Sequence, residues 1–279
     1  MAVRTCGVRR LENDFQWKDP EEGYQLEPDM VCVASEYQHE KLDLCGIEPE
    51  LYRGAVDPSF FIGIAIHAGV NSGISAEGAV NMLQSLEMLR APRLDEPLLV
   101  QGEIKTVETV ARGQRVETHV WFSNQEDEVV LRANRISLRP SKNSSESRGA
   151  GDRPLPVITD IASLEQKSSF QLTPEIVCGY SSEGNSIHYD ERAAKAGGFR
   201  APIIGGGMGV HYLMADLWAA KQPARFKCNI YFRRPIFWDD SVSVRADQSY
   251  RALGLLKEVA TASGSETKIG TEMEVVYCD

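Results

Sequence analysis

Two segments of the chain are apolar over most of their helical circumference, and each is followed by alternating apolar and polar positions. The apolar segments, 60–75 and 207–221, predict buried helices, because a helix with one solvated side would keep a polar face. Patterns with a period of two follow both segments, at 98–111, 115–123, 128–138, 241–250, 255–262 and 267–277. The chain is therefore predicted to be α+β, with an antiparallel sheet packed around each helix.

Turn-forming residues separate these strand patterns. In the first set they are residues 111–113 (Ala-Arg-Gly) and 124–127 (Asn-Gln-Glu-Asp). In the second set they are Leu253-Gly254 and residues 263–265 (Ser-Gly-Ser). Strands joined this closely along the chain are expected to pair as hairpins.

A polar segment at the middle of the chain, residues 141–155, has no apolar face to bury and predicts a linker. It divides the chain into an N-terminal unit, 1–140, and a C-terminal unit, 156–279. A shift of 144 positions places Pro58, Gly63 and His67 on Pro202, Gly207 and His211. The common order and offset of these matches predict a diverged internal repeat.

Charge and composition exclude several functional classes. The formal net charge of −10 argues against a nucleic-acid-binding surface, and no apolar run approaches the roughly 20 residues that span a bilayer. The N-terminus has no apolar signal-peptide core, and the six cysteines contain no CxxC pair. These features predict a cytoplasmic protein with reduced thiols and no membrane or nucleic-acid partner.

Candidate chemistry is concentrated between Tyr180 and Met208. This stretch resembles the signature of the MaoC-like proteins, also known as R-specific enoyl-CoA hydratases or hydratase 2. That signature reads D-x-N-P-[IL]-H-x-D, then an A…GF segment, then P-I-A-H-G. The positions that match it are Asn185, Ile187, His188, Asp190, Ala194, Gly198, Phe199, Pro202, Ile203 and Gly206.

The resemblance implies a double hotdog fold, in which two antiparallel sheets each wrap around a long central helix. It also implies that the N-terminal unit has lost its catalytic motif and accommodates the acyl chain. Residues 35–41 fit this expectation, because they contain no N-x-x-H.

The same resemblance implies a lyase that adds water reversibly to an enoyl thioester, with (R) stereochemistry. Glu183 and His188 would activate the water, and a histidine suits this because its ordinary pKa lies near neutrality. The backbone N–H of Gly206, at the start of a helix, would stabilise the developing enolate oxygen. The substrate would be an acyl-CoA or carrier-bound acyl thioester, so that CoA or phosphopantetheine enters with it.

Further residues are expected to bind the substrate rather than to react with it. Arg200 and Arg233 belong to a basic group, with Arg225, Lys227 and Arg234, that suits the phosphates of CoA. The remaining substrate-binding candidates are Tyr180, Asn185, Ser186, Gly205 and Gly207. Asn185 also suits a cap of the following turn, and the three glycines also suit close helix packing.

Three departures from the signature keep other functions open. Glu183 replaces the aspartate, Ser186 the proline and Gly205 the histidine of P-I-A-H-G. A hotdog thioesterase using Glu183, Asn185 and Tyr180 is therefore an alternative, and a non-catalytic thioester-binding protein is another. No histidine spacing suits a metal, and His39, His67, His119 and His211 are assigned to the fold. The chain is expected to be a monomer or a homodimer, without a cofactor.

Overall fold

The computed structural model describes residues 4–5, 17–141, 154–181, 185–261 and 264–279. The five helices in these ranges are α1 (Ser35–Leu44), α2 (Phe60–Asn71), α3 (Pro174–Ser181), α4 (Glu191–Ala196) and α5 (Gly206–Lys221). The strands are β1 (Arg4–Thr5), β2 (Asp29–Cys32), β3 (Val80–Met88), β4 (Leu98–Val110), β5 (Gly113–Ser123), β6 (Val129–Pro140), β7 (Glu165–Gln171), β8 (Phe226–Phe232), β9 (Ser241–Ala246), β10 (Ala252–Thr261) and β11 (Gly264–Cys278).

All described strands belong to one sheet, in the order β1-β2-β4-β5-β6-β3-β8-β11-β10-β9-β7. The two expected sheets are continuous here, because β3 and β8 pair antiparallel and join the strands of the two halves edge to edge. The register places Leu86 opposite Cys228, and both side chains are fully buried. An unpaired edge would leave a row of backbone N–H and C=O groups without partners, and this pairing satisfies them.

The two predicted apolar helices are present, and each packs on its own part of the sheet. Helix α2 contacts β4 and β6, whereas α5 contacts β9, β10 and β11. The first helix ends at Asn71 rather than at 75, because the chain reverses there and the N–H of Ile74 donates to the carbonyl oxygen of Gly69. Gly73 permits this reversal with a φ of 93°.

The hairpin turns at 111–113 and 124–127 are confirmed, whereas the break at Leu253-Gly254 is wrong. The strand predicted at 241–250 ends at Ala246, because the side chain of Asp247 accepts backbone N–H groups from Arg251 and Ala252. Gly254 lies inside β10, where a Cβ would come within 2.8 Å of Ile158 Cδ1. This glycine marks close packing rather than a turn.

Most of the predicted linker, residues 142–153, lies outside the described residues, so the division at 141–155 stays a prediction. Among the described residues, no helix is both long enough and apolar enough to span a bilayer.

Candidate functional site

A cavity of about 1190 Å³ is lined by residues from both halves of the chain. It exceeds the roughly 300–1,000 Å³ of most small-molecule sites. The first half contributes α2, the start of β3 and part of β6, and the second half contributes the turn at Ser186–His188 and the start of α5. The predicted site residues that line it are Tyr180, Asn185, Ser186, His188, Gly205, Gly206, Gly207 and Arg233.

His188 has a defined tautomer and orientation. Its Nδ1 lies 2.8 Å from the carbonyl oxygen of Ile203, and a carbonyl only accepts, so Nδ1 carries the proton. In the neutral ring Nε2 is then an acceptor, and a Cβ built on Gly205 would lie 3.8 Å from it. Burial lowers the pKa of His188, and the bond to Ile203 only partly opposes this shift. The imidazole is therefore a neutral base at pH 7.

The three glycines occupy the beginning of α5, where Gly205 is the N-cap residue. No side chain caps this end, so its first N–H groups have no partner inside the helix. A Cβ on Gly206 would come within 2.9 Å of the Phe232 ring, and one on Gly207 would lie 3.7 Å from the Tyr180 hydroxyl. The absence of side chains therefore leaves the helix terminus accessible, with His188 on one side and Tyr180 on the other.

Asn185 caps the short turn that carries His188, because its side-chain oxygen accepts the N–H of Ile187 at 3.2 Å. Asp190 is the N-cap of α4, and its side chain accepts the N–H groups of Arg192 and Ala193. Glu183, the predicted partner of His188, lies outside the described residues. Its role therefore stays a prediction.

Behind Tyr180 lies a buried chain of hydrogen bonds that the sequence reasoning did not identify. The Tyr180 hydroxyl is 2.7 Å from Nε2 of His211, and Nδ1 of His211 is 2.7 Å from Oδ2 of Asp57. Asp57 also accepts the Tyr52 hydroxyl at 2.7 Å and the N–H of Ser59 at 2.8 Å. Asp57 and His211 are fully buried and come from different halves of the chain.

His211 links the Tyr180 hydroxyl to Asp57. Its Nδ1 faces the Asp57 carboxylate, and its Nε2 faces the Tyr180 hydroxyl. Burial raises the pKa of Tyr180 well above its usual range, so its phenol stays protonated. These buried hydrogen bonds thus fix the position of the Tyr180 oxygen beside the N-terminus of α5.

Lys41 on α1 holds the other end of the Tyr180 segment. Its Nζ donates to the carbonyl oxygens of Gly179 at 3.3 Å and Tyr180 at 3.1 Å. A positive charge at the end of α3 is favourable, because the carbonyls there lack helical partners. A helix from the first half therefore positions the start of the motif in the second.

The two arginines expected to bind phosphate make contacts within the protein. Arg200 pairs with Asp239 at 2.7 Å and with Asp240 at 3.0 Å, and it is not among the cavity-lining residues. Arg233 lines the cavity but pairs with Glu272, and it donates to the carbonyl oxygens of residues 154–155. Both guanidinium groups thus support loops around the site.

Two of the residues that the sequence analysis did not assign to the site interrupt apolar patterns. His211 interrupts the buried helix α5, and Arg135 occupies a position of β6 that faces the cavity. Asp57 carried no such signal, since it precedes Pro58 in a loop where acidic residues are common.

Solved structures share this fold at low sequence identity. The protein HtdX from Mycobacterium tuberculosis is 16% identical, with a TM-score of 0.70 over 90% of this chain and 98% of its own. A MaoC-like dehydratase from Phytophthora capsici is 18% identical, with a TM-score of 0.66 over 92% of this chain and 97% of its own.

A third neighbour, Rv0216 from Mycobacterium tuberculosis, is described as having a double hotdog fold. It is 14% identical, with a TM-score of 0.58 over 91% of this chain and 95% of its own. No protein-family model matches the sequence, and neither does any curated protein. The predicted resemblance to MaoC-like proteins is therefore confirmed at the level of the fold.

Proposed function

We propose that this chain is a lyase that adds water reversibly to the double bond of an enoyl thioester. The observation that carries the proposal is His188, a neutral imidazole whose acceptor nitrogen lies beside the uncapped start of α5. A base and a set of backbone N–H donors then converge on one end of an apolar cavity. Those are the two groups that conjugate addition of water requires.

In this mechanism His188 and Glu183 hold the water, and the water oxygen bonds to C3 as its proton is removed. The electron pair moves to the thioester oxygen, where the N–H of Gly206 stabilises the enolate. A proton returned to C2 completes the 3-hydroxyacyl thioester. The (R) configuration is part of the proposal and follows from the resemblance to hydratase 2.

The size and lining of the cavity support an acyl thioester as the substrate. Its walls include apolar side chains of α2 and β3, among them Phe60, Ile62 and Met82. An acyl chain could lie along these walls while the thioester carbonyl meets the helix terminus. The carrier, CoA or a carrier protein, is proposed to remain at the opening.

A panel of enoyl-CoA substrates tests the reaction directly. Loss of the absorbance of the conjugated thioester without release of thiol is the expected result, and chiral analysis of the product should give the (R) isomer. Thiol release would instead support the thioesterase alternative, in which water directed by Glu183, Asn185 and Tyr180 attacks the carbonyl. Binding without turnover would support the non-catalytic alternative.

A further inference from the structure

On strand β6 a charged residue follows two buried apolar residues on the same face of the strand. Leu131 and Ala133 face the interior and are buried, and Arg135 continues the same alternation. The register places Arg135 opposite Gln84 on β3 and opposite Thr118 on β5. A charge at a core-facing position breaks the binary pattern of a strand, and such breaks concentrate at functional sites.

Arg135 lines the large cavity and has no partner among the residues that the structure describes. Neither an ion pair nor a hydrogen bond joins the Arg135 side chain to the described residues. Desolvation lowers its pKa to about 10, which still leaves the guanidinium charged at neutral pH. By contrast, Arg132 on the same strand pairs with Glu87 at 3.1 Å.

Nearby polar groups do not satisfy this guanidinium. Gln84 faces Arg135 across the strands, and its Oε1 is buried without a partner. A single amide oxygen cannot serve five N–H donors. Arg135 is half-buried beside the cavity, and a charge that is partly removed from water without a partner is costly. This position is therefore suited to a charged group that arrives with a ligand.

The register also separates Arg135 from the thioester end of the cavity. Phe232, which touches Gly206, lies level with Met82, because Tyr231 pairs with Leu83. Arg135 on β6 and Phe232 on β8 are separated by two strand spacings across the sheet and by two residues along the strand direction. Their Cα atoms are therefore about 12 Å apart. A ligand whose thioester lies at Gly206 would reach Arg135 with the far end of its acyl chain.

Resting on the proposed function, we propose that Arg135 binds a carboxylate at the far end of the acyl chain. The preferred substrates are then thioesters of dicarboxylic acids. A carboxylate fits the guanidinium because two parallel N–H···O bonds can form, which also fixes the direction of the chain. The first half of the molecule thereby selects the substrate that the second half converts.

The test compares two enoyl-CoA substrates of equal chain length, one ending in a methyl group and the other in a carboxylate. Wild-type protein should favour the carboxylate substrate at least tenfold in kcat/KM. Arg135→Met should remove that preference, and Arg135→Lys should keep only part of it, since an ammonium lacks the planar fork. The matched control is Arg132→Met, which removes an arginine from the same strand and should leave the preference intact.

Calorimetric binding of the corresponding saturated acyl-CoAs separates this proposal from the proposed function. Tighter binding of the carboxylate ligand that is lost in Arg135→Met, without turnover of any substrate, would refute the lyase and retain the subsite. Equal binding and turnover of both ligands by wild-type protein would overturn the subsite. So would a preference that survives in Arg135→Met.

Thermal unfolding of Arg135→Met without ligand tests whether Arg135 instead stabilises the fold. If the guanidinium is unpaired until a ligand arrives, the unfolding midpoint should stay constant or rise. A fall of several degrees would mean that the fold itself satisfies Arg135, and it would overturn the proposal.

Discussion

At the scale of single residues, the proposed reaction depends most directly on His188. Its Nδ1–H donates to the carbonyl oxygen of Ile203 and its Nε2 lies near Gly205, which is the geometry required of the proposed base. His188→Ala is expected to lower kcat/KM by about a hundredfold or more, which is typical for loss of a general base. His119→Ala is the control, because that ring lies on β5 beside Glu117, outside the cavity lining. A loss of less than tenfold in His188→Ala would contradict the assignment.

The pH dependence follows from the direction of the pKa shift at His188. Burial lowers this pKa below 6.5, and only the neutral ring can accept a proton. The value of kcat/KM should therefore rise with pH and level off once the imidazole is deprotonated, with the midpoint of the rise below 6.5. A midpoint clearly above that value, measured from the pH profile of wild-type protein, would mean that His188 is not the base.

Gly206 gives a test of the helix terminus. A Cβ there would lie 2.9 Å from Phe232, so Gly206→Ala should overpack the junction and reduce the free energy of unfolding by about 1–3 kcal/mol. Gly205→Ala is the matched control, since the nearest atom to its Cβ is 3.8 Å away. Denaturant unfolding measures the free energy of unfolding of both variants. Equal values would show that the packing against Phe232 does not require a glycine at position 206.

Some site residues could be inferred from sequence because their spacing is local. Asn185 and His188 belong to one short motif, and Gly206 follows within the same segment. The partners of His211 could not be inferred, since Asp57 lies 154 positions away and reaches it only through the fold. Arg135 is informative only once the strand is known to face inward.

At the scale of elements, the hydrogen bonds from Tyr52 to Tyr180 connect α3, α5 and the loop before α2. Tyr180→Phe and Tyr52→Phe each remove one hydroxyl with a 2.7 Å bond to this chain. Each should reduce the free energy of unfolding by about 1–3 kcal/mol, because a buried group loses its partner.

Of these two tyrosines, Tyr180 lines the cavity and Tyr52 does not, so Tyr180→Phe alone should also reduce kcat. Steady-state kinetics of both variants would separate the two roles. An equal loss of kcat in Tyr52→Phe would mean that the Tyr180 hydroxyl has no role in the cavity apart from its place in the buried hydrogen-bond chain.

The elements predicted correctly from the sequence were those with a regular pattern of apolar and polar positions. The two apolar helices and the hairpin strands of both halves satisfy this condition, and they are confirmed apart from their ends. Strands β3 and β8 were not among the predicted strands. In β3 the polar Gln84 occupies an inward position, which blurs the alternation, and its pairing with β8 spans more than a hundred residues.

At the scale of the whole molecule, the β3–β8 pairing predicts that both halves unfold together. Leu86 on β3 is fully buried at this joint, so Leu86→Ala should reduce the free energy of unfolding by about 2–5 kcal/mol. The transition should remain single and coincide when followed by circular dichroism and by tryptophan fluorescence. Two separated transitions would instead indicate that the halves fold independently.

The continuous sheet within one polypeptide also has an evolutionary consequence. In a symmetric pair of identical chains every substitution appears twice, so a residue that improves one active site also alters its copy. Here Arg135 belongs to one half and His188 to the other, and each position changes alone. Selection can therefore specialise one half for recognition and the other for chemistry without compromise between them.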